Sequence, residues 1–307
     1  MTPKISIFVT LGNIGNTPDE WQYAWREAIE SYLDFADEVV IVNGEPFNNE
    51  DTNDLLYAYR DMLELEEGKK SFKIIDLPWE YDFSWETIAQ HFNAGLEACT
   101  GDWIMKMDID YVIHEKDMPD LKARMEAHYK EKWWLLSFMK YTVLNQHKAY
   151  QKVHLPFIIR GDKKELIKFG IPEDDKTSAW GYPIMVNGFD EKRGLPTGTT
   201  IPESMVRSTG IDIFNYDNTF RDKETTGKHF LRFSNARAKA GFPREWGSTE
   251  EEALQKFIDM MWSRIKKTSG SYKPLLLESH PKYVRERIKS LTPDLYGYNS
   301  WKTNEKS

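Results

Sequence analysis

Asp108 and Asp110 are the residues in this chain best placed by type and spacing to do chemistry. They close the run Gly95–Asp110, GLEACTGDWIMKMDID, and make up its Asp-x-Asp, which occurs once in the chain. An amphipathic segment ends there in a Thr-Gly turn. A short apolar stretch of Trp103, Ile104, Met105 and Met107 then leads into the two acids. Read as helix, turn and buried strand, the run puts two carboxylates at the carboxyl end of a strand, both on one side because strand side chains alternate. Open α/β sheets bind ligands in the crevice at that edge. Paired carboxylates there suit a hard divalent cation, and such a cation suits a diphosphate. An EF-hand does not fit, since Tyr111-Val112 replace the oxygen ligand and the turn glycine that its loop needs. An Asp-x-Asp pair also arises as a solvated loop, so its position carries more weight than the pattern.

The elements around the pair follow from hydrophobic period. Lys4–Thr10 (KISIFVT), Asp37–Val42 (DEVVIV), Phe72–Leu77 (FKIIDL) and Trp103–Met107 predict buried strands. Thr17-Pro18-Asp19-Glu20 predicts a helix start, with Trp21, Trp25, Ile29, Tyr32, Leu33 and Ala36 following at helical spacing. A second helix is expected over Asn53–Leu65. A third, capped by Ser84, carries Ile88, Phe92, Leu96 and Cys99 four apart. Strands alternating with helices predict a mostly parallel, doubly wound α/β sheet with right-handed crossovers. Past it, a helix over Leu121–Lys132, a strand over Trp133–Val143, a short strand at Phe157–Arg160 and a helical Lys163–Phe169 are expected. Residues 170–230 read as an irregular, functional segment. Ser248 and Thr249 with Glu251 and Glu252 predict a capping box for a helix to about Lys267, and a last helix is expected at about 281–290. Residues 268–274 read as a linker and 298–307 as a polar tail.

Bulk properties exclude several classes. The 307 residues suffice for one large or two modest domains. A net charge of −8 argues against a nucleic-acid binder, which carries a basic face. The lone cysteine, Cys99, rules out an internal disulfide and suits a reducing compartment. No secretory leader or transmembrane segment is evident, so a cytoplasmic protein is expected. LGNIGN after the first strand is not a dinucleotide fingerprint, and no Walker-A pattern occurs. No Cys/His cluster has zinc spacing.

The stretch 72–118 resembles the inverting family-2 glycosyltransferases of the GT-A fold. It carries LPWEYDFSWETIAQHFNAGLEACTGDWIMKMDIDYVI, similar to that family's Trp-containing loop, Phe-led helix, Asn and Asp-x-Asp. The opening units 4–36 and DEVVIVNGEP match in order, and FIIRGDKKELIKFG (157–170) resembles the acceptor-side strand and helix. The resemblance implies a GT-A-like domain over 1–230, with a nucleotide-sugar half (1–120) and an acceptor half (121–230), followed by a helical C-terminal extension (231–307). It implies a metal-dependent, inverting transfer from a nucleoside-diphosphate sugar to a carbohydrate or other hydroxyl acceptor.

The same resemblance assigns residues. Asp110 is the main ligand of Mn²⁺ or Mg²⁺, Asp108 touches ribose or metal, and His229 is a later metal ligand. Thr10, Asn43, Glu45 and Asn93 fall at the donor, although Asn43 and Glu45 replace the family's Asp-Asp. Phe92 stands where the family often has an Arg before the helix Asn, so a phosphate-side cation must come from elsewhere. The base that takes the acceptor proton is sought among Glu173, Asp174, Asp175, Asp190, Glu191 and Glu203, with Asp174 first and Asp190 in a Gly-Phe-Asp-Glu run similar to an acceptor-site signature. Each is, taken alone, an ordinary surface acid. Trp180 and Tyr182 could stack on an acceptor sugar or anchor their loop; Arg221 and Lys223 could bind phosphate or face solvent. Two other readings stay open: a nucleotidyltransferase, which would release pyrophosphate, and a non-catalytic nucleotide-sugar-binding module that has lost its base.

Overall fold

A computed structural model describes residues 2–11, 19–44, 56–57, 60–61, 70–79, 84–174, 181–239, 243–267 and 272–297. The first half alternates strand and helix: β1 (Ile5–Leu11), α1 (Trp25–Phe35), β2 (Glu38–Asn43), β3 (Ser71–Asp76), α2 (Trp85–Ala98) and β4 (Trp103–Met107). These strands run parallel in the order β3-β2-β1-β4. Glu45 and the helix expected over Asn53–Leu65 lie wholly or largely outside the described residues; the helix expected from Thr17, itself outside them, starts later, at Trp25, with Asp19–Gln22 forming a turn.

Alternation in β1 decides which helix covers which face. Ile5, Ile7, Val9 and Leu11 join a cluster with Trp25, Ile29 and Tyr32 of α1. Phe8 points the other way and packs with Phe92 and Leu96 of α2. Gly95 permits that contact, because a Cβ there would lie 2.5 Å from the Phe8 ring. Ser84 caps α2 by accepting from the Thr87 N–H at 3.0 Å, as its sequence predicts.

Beyond β4 the sheet is mixed. A two-residue strand β5 (Tyr111–Val112) and α3 (Met118–Lys130) lead to β6 (Leu135–Asn145) and β7 (Lys148–Arg160). The short connection between β6 and β7 makes them an antiparallel hairpin, and β7 inserts antiparallel beside β4. The short strand expected at Phe157–Arg160 is therefore the end of a longer one.

Lys163–Phe169 is not helical. A single turn at Gly161–Lys163 gives way to β8 (Ile167–Phe169), whose residues are buried. Nor is 170–230 irregular. β9 (Ile171–Pro172), β10 (Pro183–Asp190) and β11 (Leu195–Thr200) join β8 in a second sheet, ordered β8-β10-β11-β9. β12 (Val206–Asn215) then returns to the main sheet, parallel to β6 and antiparallel to β5.

Helix α4 (Lys223–Lys239) runs through residue 230 and packs on α5 (Glu250–Lys267). The Thr249 hydroxyl accepts from the Glu252 N–H as predicted, while the return bond of Glu252 falls on the Ser248 N–H, one residue before the cap. Within the expected linker, β13 (Tyr272–Pro274) pairs with β7. The last helix, α6 (Arg285–Lys289), is shorter than expected because a 3₁₀ turn at Lys282–Val284 precedes it. Among the described residues no helix is long and apolar enough to cross a membrane.

Candidate active site

The carboxyl ends of β1, β4 and β12 open on one cavity of about 480 Å³. Thr10, Asp108, Asp110, Asp217 and His229 all line it. β4 stops at Met107, so Asp108 and Asp110 do not alternate on a strand. They sit in a turn that Tyr111 N–H closes onto the Asp108 carbonyl at 3.1 Å. The Tyr32 hydroxyl from α1 braces the turn by donating to the Asp108 and Tyr111 carbonyls, 2.6 Å each.

The two carboxylates have different surroundings. Burial works against charge on Asp108, but the Lys106 ammonium 2.5 Å from its Oδ1 outweighs it and holds the carboxyl below its usual range. Asp110 is 5% exposed. Burial, then the charges of Asp217 and Asp108, push its carboxyl up to about 8. Asn215 at the end of β12 donates to Asp110 Oδ2 at 3.1 Å.

Asp217 follows β12 and is steadied by Arg221, whose Nη2 is 3.2 Å from Oδ1. That guanidinium is fully buried and reaches the Trp21 carbonyl. His229, on α4, presents Nε2 toward Asp217 Oδ1 at 3.9 Å. Its Nδ1 accepts from Arg232 at 3.2 Å and lies 3.4 Å from the Tyr23 hydroxyl. Burial and the charges of Arg221 and Arg232 hold its pKa well below the usual value, so the ring is neutral. Neutral imidazole is the form that can ligate a metal.

Other expected site residues lie elsewhere. Asn43 donates to Asp76 at 3.2 Å, tying the end of β2 to that of β3. Asn93 is engaged with the Phe169 backbone, donating to its carbonyl at 2.7 Å and accepting from its N–H at 2.8 Å, and so fastens β8 to α2. Asp174 is exposed and accepts from the Thr200 N–H and hydroxyl. Asp190 closes the turn after β10 by accepting from Arg193. Neither acid lines the cavity: local turn chemistry takes up both carboxylates. Gly181 and Tyr182, just before β10, do line it. Asp175 and Trp180 lie outside the described residues.

The sequence reading missed Asp217, Asn215 and Lys106, and of the aromatic side chains that line the site it singled out Tyr182. Trp79, Trp85, Phe157, Tyr182, Phe233 and Trp246 all face the cavity. The signal for Asp217 is present in IDIFNYD, an apolar run ending in two polar side chains two apart, much as WIMKMDID does.

Could this site hold a divalent cation? Among the described residues no group of three His, Cys, Asp or Glu side chains is close enough to hold one unaided. Two carboxylates do fit a cation whose remaining positions are filled by phosphate oxygens and water, the usual arrangement for Mg²⁺-type sites. The crowding of Asp110 by two other acids is the kind of field a dication relieves.

Residues 21–168 match the family model described as Glycosyl transferase family 2. No curated protein matches the chain. Among solved structures the chain is similar to S. aureus TarS residues 1–349, at 15% identity and a TM-score of 0.41, over 85% of this chain and 72% of that one. A second structure of S. aureus TarS is similar at 15% identity and a TM-score of 0.41, over 76% of this chain, which spans 39% of that one. On that match over residues 21–168, the chain is a glycosyltransferase.

Proposed function

We propose that the protein moves a sugar from a nucleoside-diphosphate sugar to a hydroxyl acceptor, with inversion, using Mn²⁺ or Mg²⁺ held by Asp108 and Asp110. The observation that carries this reading is the convergence of Asp108, Asp110 and Asp217 in one cavity whose other walls are aromatic. The bound cation would act as a Lewis acid that stabilises the departing nucleoside diphosphate. Asn215 orients the Asp110 carboxylate, and His229 would offer Nε2 as a further ligand in the other tautomer, with its proton on Nδ1 donated to the Tyr23 hydroxyl in place of the Arg232 contact. Thr10 is assigned to the nucleoside, with Asn43 at the neighbouring end of β2 beside it and Glu45 two residues further on. Trp79, Trp85 and Tyr182 offer faces suited to a sugar ring.

The acceptor hydroxyl must lose a proton as it attacks, and a carboxylate within hydrogen-bond reach would take it. Asp174 is the first assignment by resemblance, although its carboxylate is held by Thr200 outside the cavity that Asp217 lines. Asp217 is the alternative inside the cavity, and Asp190 the third. Transfer rates of Asp174→Asn, Asp190→Asn and Asp217→Asn decide among them: the base variant loses turnover and keeps donor affinity.

The reading as a whole is tested by thermal unfolding with UDP-, GDP-, dTDP- and CMP-sugars, with and without Mn²⁺. A ligand that binds only the folded state raises its stability. A metal-dependent shift with one nucleoside class, lost in Asp110→Ala, is expected. No shift, or one indifferent to metal and to Asp110, overturns the reading.

A further inference from the structure

Lys106 is the cavity residue whose chemistry the reading above leaves unused. It leaves β4 two residues before Asp108, and its ammonium lies 2.5 Å from Asp108 Oδ1. The same nitrogen sits 4.4 Å from the ring centroid of Phe92 on α2 and 4.4 Å from that of Phe157 on β7. Its side chain is only 5% exposed, yet Lys106, both rings and Asp108 all line the cavity. Attraction to two aromatic faces holds an ammonium in place, and Asp108 completes its surroundings. Among the described residues, Lys106 is the only cation ion-paired with either member of the aspartate pair. The other cations facing the cavity sit differently. Lys140 lies 5.1 Å from the Tyr111 ring, and Arg232 lies 4.4 Å from the Trp21 ring and donates to His229.

The arrangement has a consequence for binding order. Asp108 cannot give the same oxygen to a dication and to the ammonium without setting two positive charges side by side, which is unfavourable beside a lysine as buried as Lys106. An anion between them removes that cost. Helix α2 carries Phe92 at the position where a phosphate-side cation was looked for, and the Lys106 ammonium rests on the face of that ring.

We propose that Lys106 exchanges partners during binding. It neutralises Asp108 in the free protein, and it turns to the donor's diphosphate when a divalent cation takes that carboxylate. Cation and diphosphate therefore bind cooperatively, and Lys106 is the residue that couples them. This rests on the glycosyl-transfer reading, because the anion it names is the nucleoside diphosphate.

The test is calorimetric titration of the full chain with Mn²⁺ alone, with UDP, GDP and dTDP in the presence and absence of Mn²⁺, and with the phosphate-free nucleosides. It is run on wild type, Lys106→Gln and Lys106→Arg. Lys106→Gln should bind Mn²⁺ alone several-fold more tightly, because the competing ammonium is gone, and should lose roughly tenfold in diphosphate affinity in Mn²⁺, the size expected for a charge-assisted contact. Nucleoside binding should not change, and Lys106→Arg should restore the diphosphate affinity.

The opposite signs for metal alone and for diphosphate are what a merely structural lysine cannot produce, since a damaged fold weakens both. Unchanged diphosphate affinity in Lys106→Gln, or weaker binding of Mn²⁺ alone, overturns the exchange while leaving the glycosyl-transfer reading in place. Failure of wild type to bind any of the three diphosphates with Mn²⁺ overturns that reading and the exchange together.

Discussion

Asn215 donates its side-chain amide to Asp110 over 3.1 Å, while the Asp110 carbonyl accepts from the Tyr216 N–H at 2.9 Å. Two segments 105 residues apart are thereby clamped at the mouth of the site. Asn215→Ala removes the donor and leaves a buried carboxyl short of a partner. It should lower unfolding stability by about 1 kcal/mol and weaken Mn²⁺ binding. Asn215→Asp should separate the two effects: a fourth acid destabilises the metal-free protein further, yet supplies another cation ligand. Chemical denaturation with and without Mn²⁺ reads both signs.

Asp110 makes metal-free stability depend on pH. Its folded carboxyl is pushed to about 8, against an ordinary 3.8. Between those values the folded state binds the proton that the unfolded chain has released, so stability is full below about pH 4 and falls as pH rises toward 8. Asp110→Asn should remove that decline and be more stable than wild type at pH 8, while losing metal binding. Saturating Mn²⁺ should also flatten the decline in wild type, because the cation favours the charged form. A decline that persists unchanged in Asp110→Asn assigns it to other groups.

The parts of the fold legible in the sequence are those with a clear apolar run or period, even where their partners are far apart in the chain, as β1 and β4 are. β1, β2, β3 and β4 are short apolar runs, with α1 between β1 and β2 and α2 between β3 and β4, and each pairs with a parallel neighbour of its own kind. Lys163–Phe169 misleads because Leu166 and Phe169 are spaced for a helix, whereas Ile167 and Phe169 alternate into the core as a strand must. β10 and β11 are hidden for another reason. MVNGFD and LPTGTT have little apolar period, and backbone pairing with each other defines them more than burial does. Asp108 and Asp110 stand out as a pair. Asp217 does not, since its companion two residues back is an amide, and its approach to Asp110 depends on β12 pairing antiparallel with β5, which sets Asn215 opposite Tyr111. Lys106 is concealed by its apolar neighbours, and its role shows only when Phe92 and Phe157 arrive from separate elements.

Glu38 gives a second pH effect, far from the chemistry and of opposite sign. Burial opposes its charge, but hydrogen bonds from Lys73, Ser6 and the Thr100 N–H outweigh burial and bring the carboxyl down to about 2 from an ordinary 4.5. Its stabilisation is therefore complete above pH 4.5 and is lost as pH falls through about 2. The Glu38 carboxylate gathers β1, β2, β3 and the turn before β4 at the end of the sheet remote from the cavity. Glu38→Gln should lower stability at neutral pH and flatten the acid limb of the stability curve. Its Mn²⁺ affinity should stay at the wild-type value, and a change there would show that this end of the sheet communicates with the site.

Gly44 tests whether the aromatic wall helps to bind the donor. It ends the β2 turn, where its N–H donates to the Leu11 carbonyl at 2.6 Å and its own carbonyl accepts from Trp79 at 2.9 Å. A Cβ at this position would lie 1.9 Å from Trp79 Cδ1 and 3.2 Å from the Leu11 carbonyl oxygen, so the indole is the group that must move. Trp79 rests on His91 with ring centroids 4.9 Å apart and also lines the cavity. Gly44→Ala should therefore cost about 1–3 kcal/mol as overpacking and weaken nucleoside-diphosphate binding in Mn²⁺. Adding Trp79→Leu to that variant should recover much of the stability by making room for the methyl, but none of the affinity, because the ring face is gone. Recovery of both would mean that Trp79 supports the turn without touching the ligand. Loss of stability with affinity unchanged throughout would place the donor on the opposite wall.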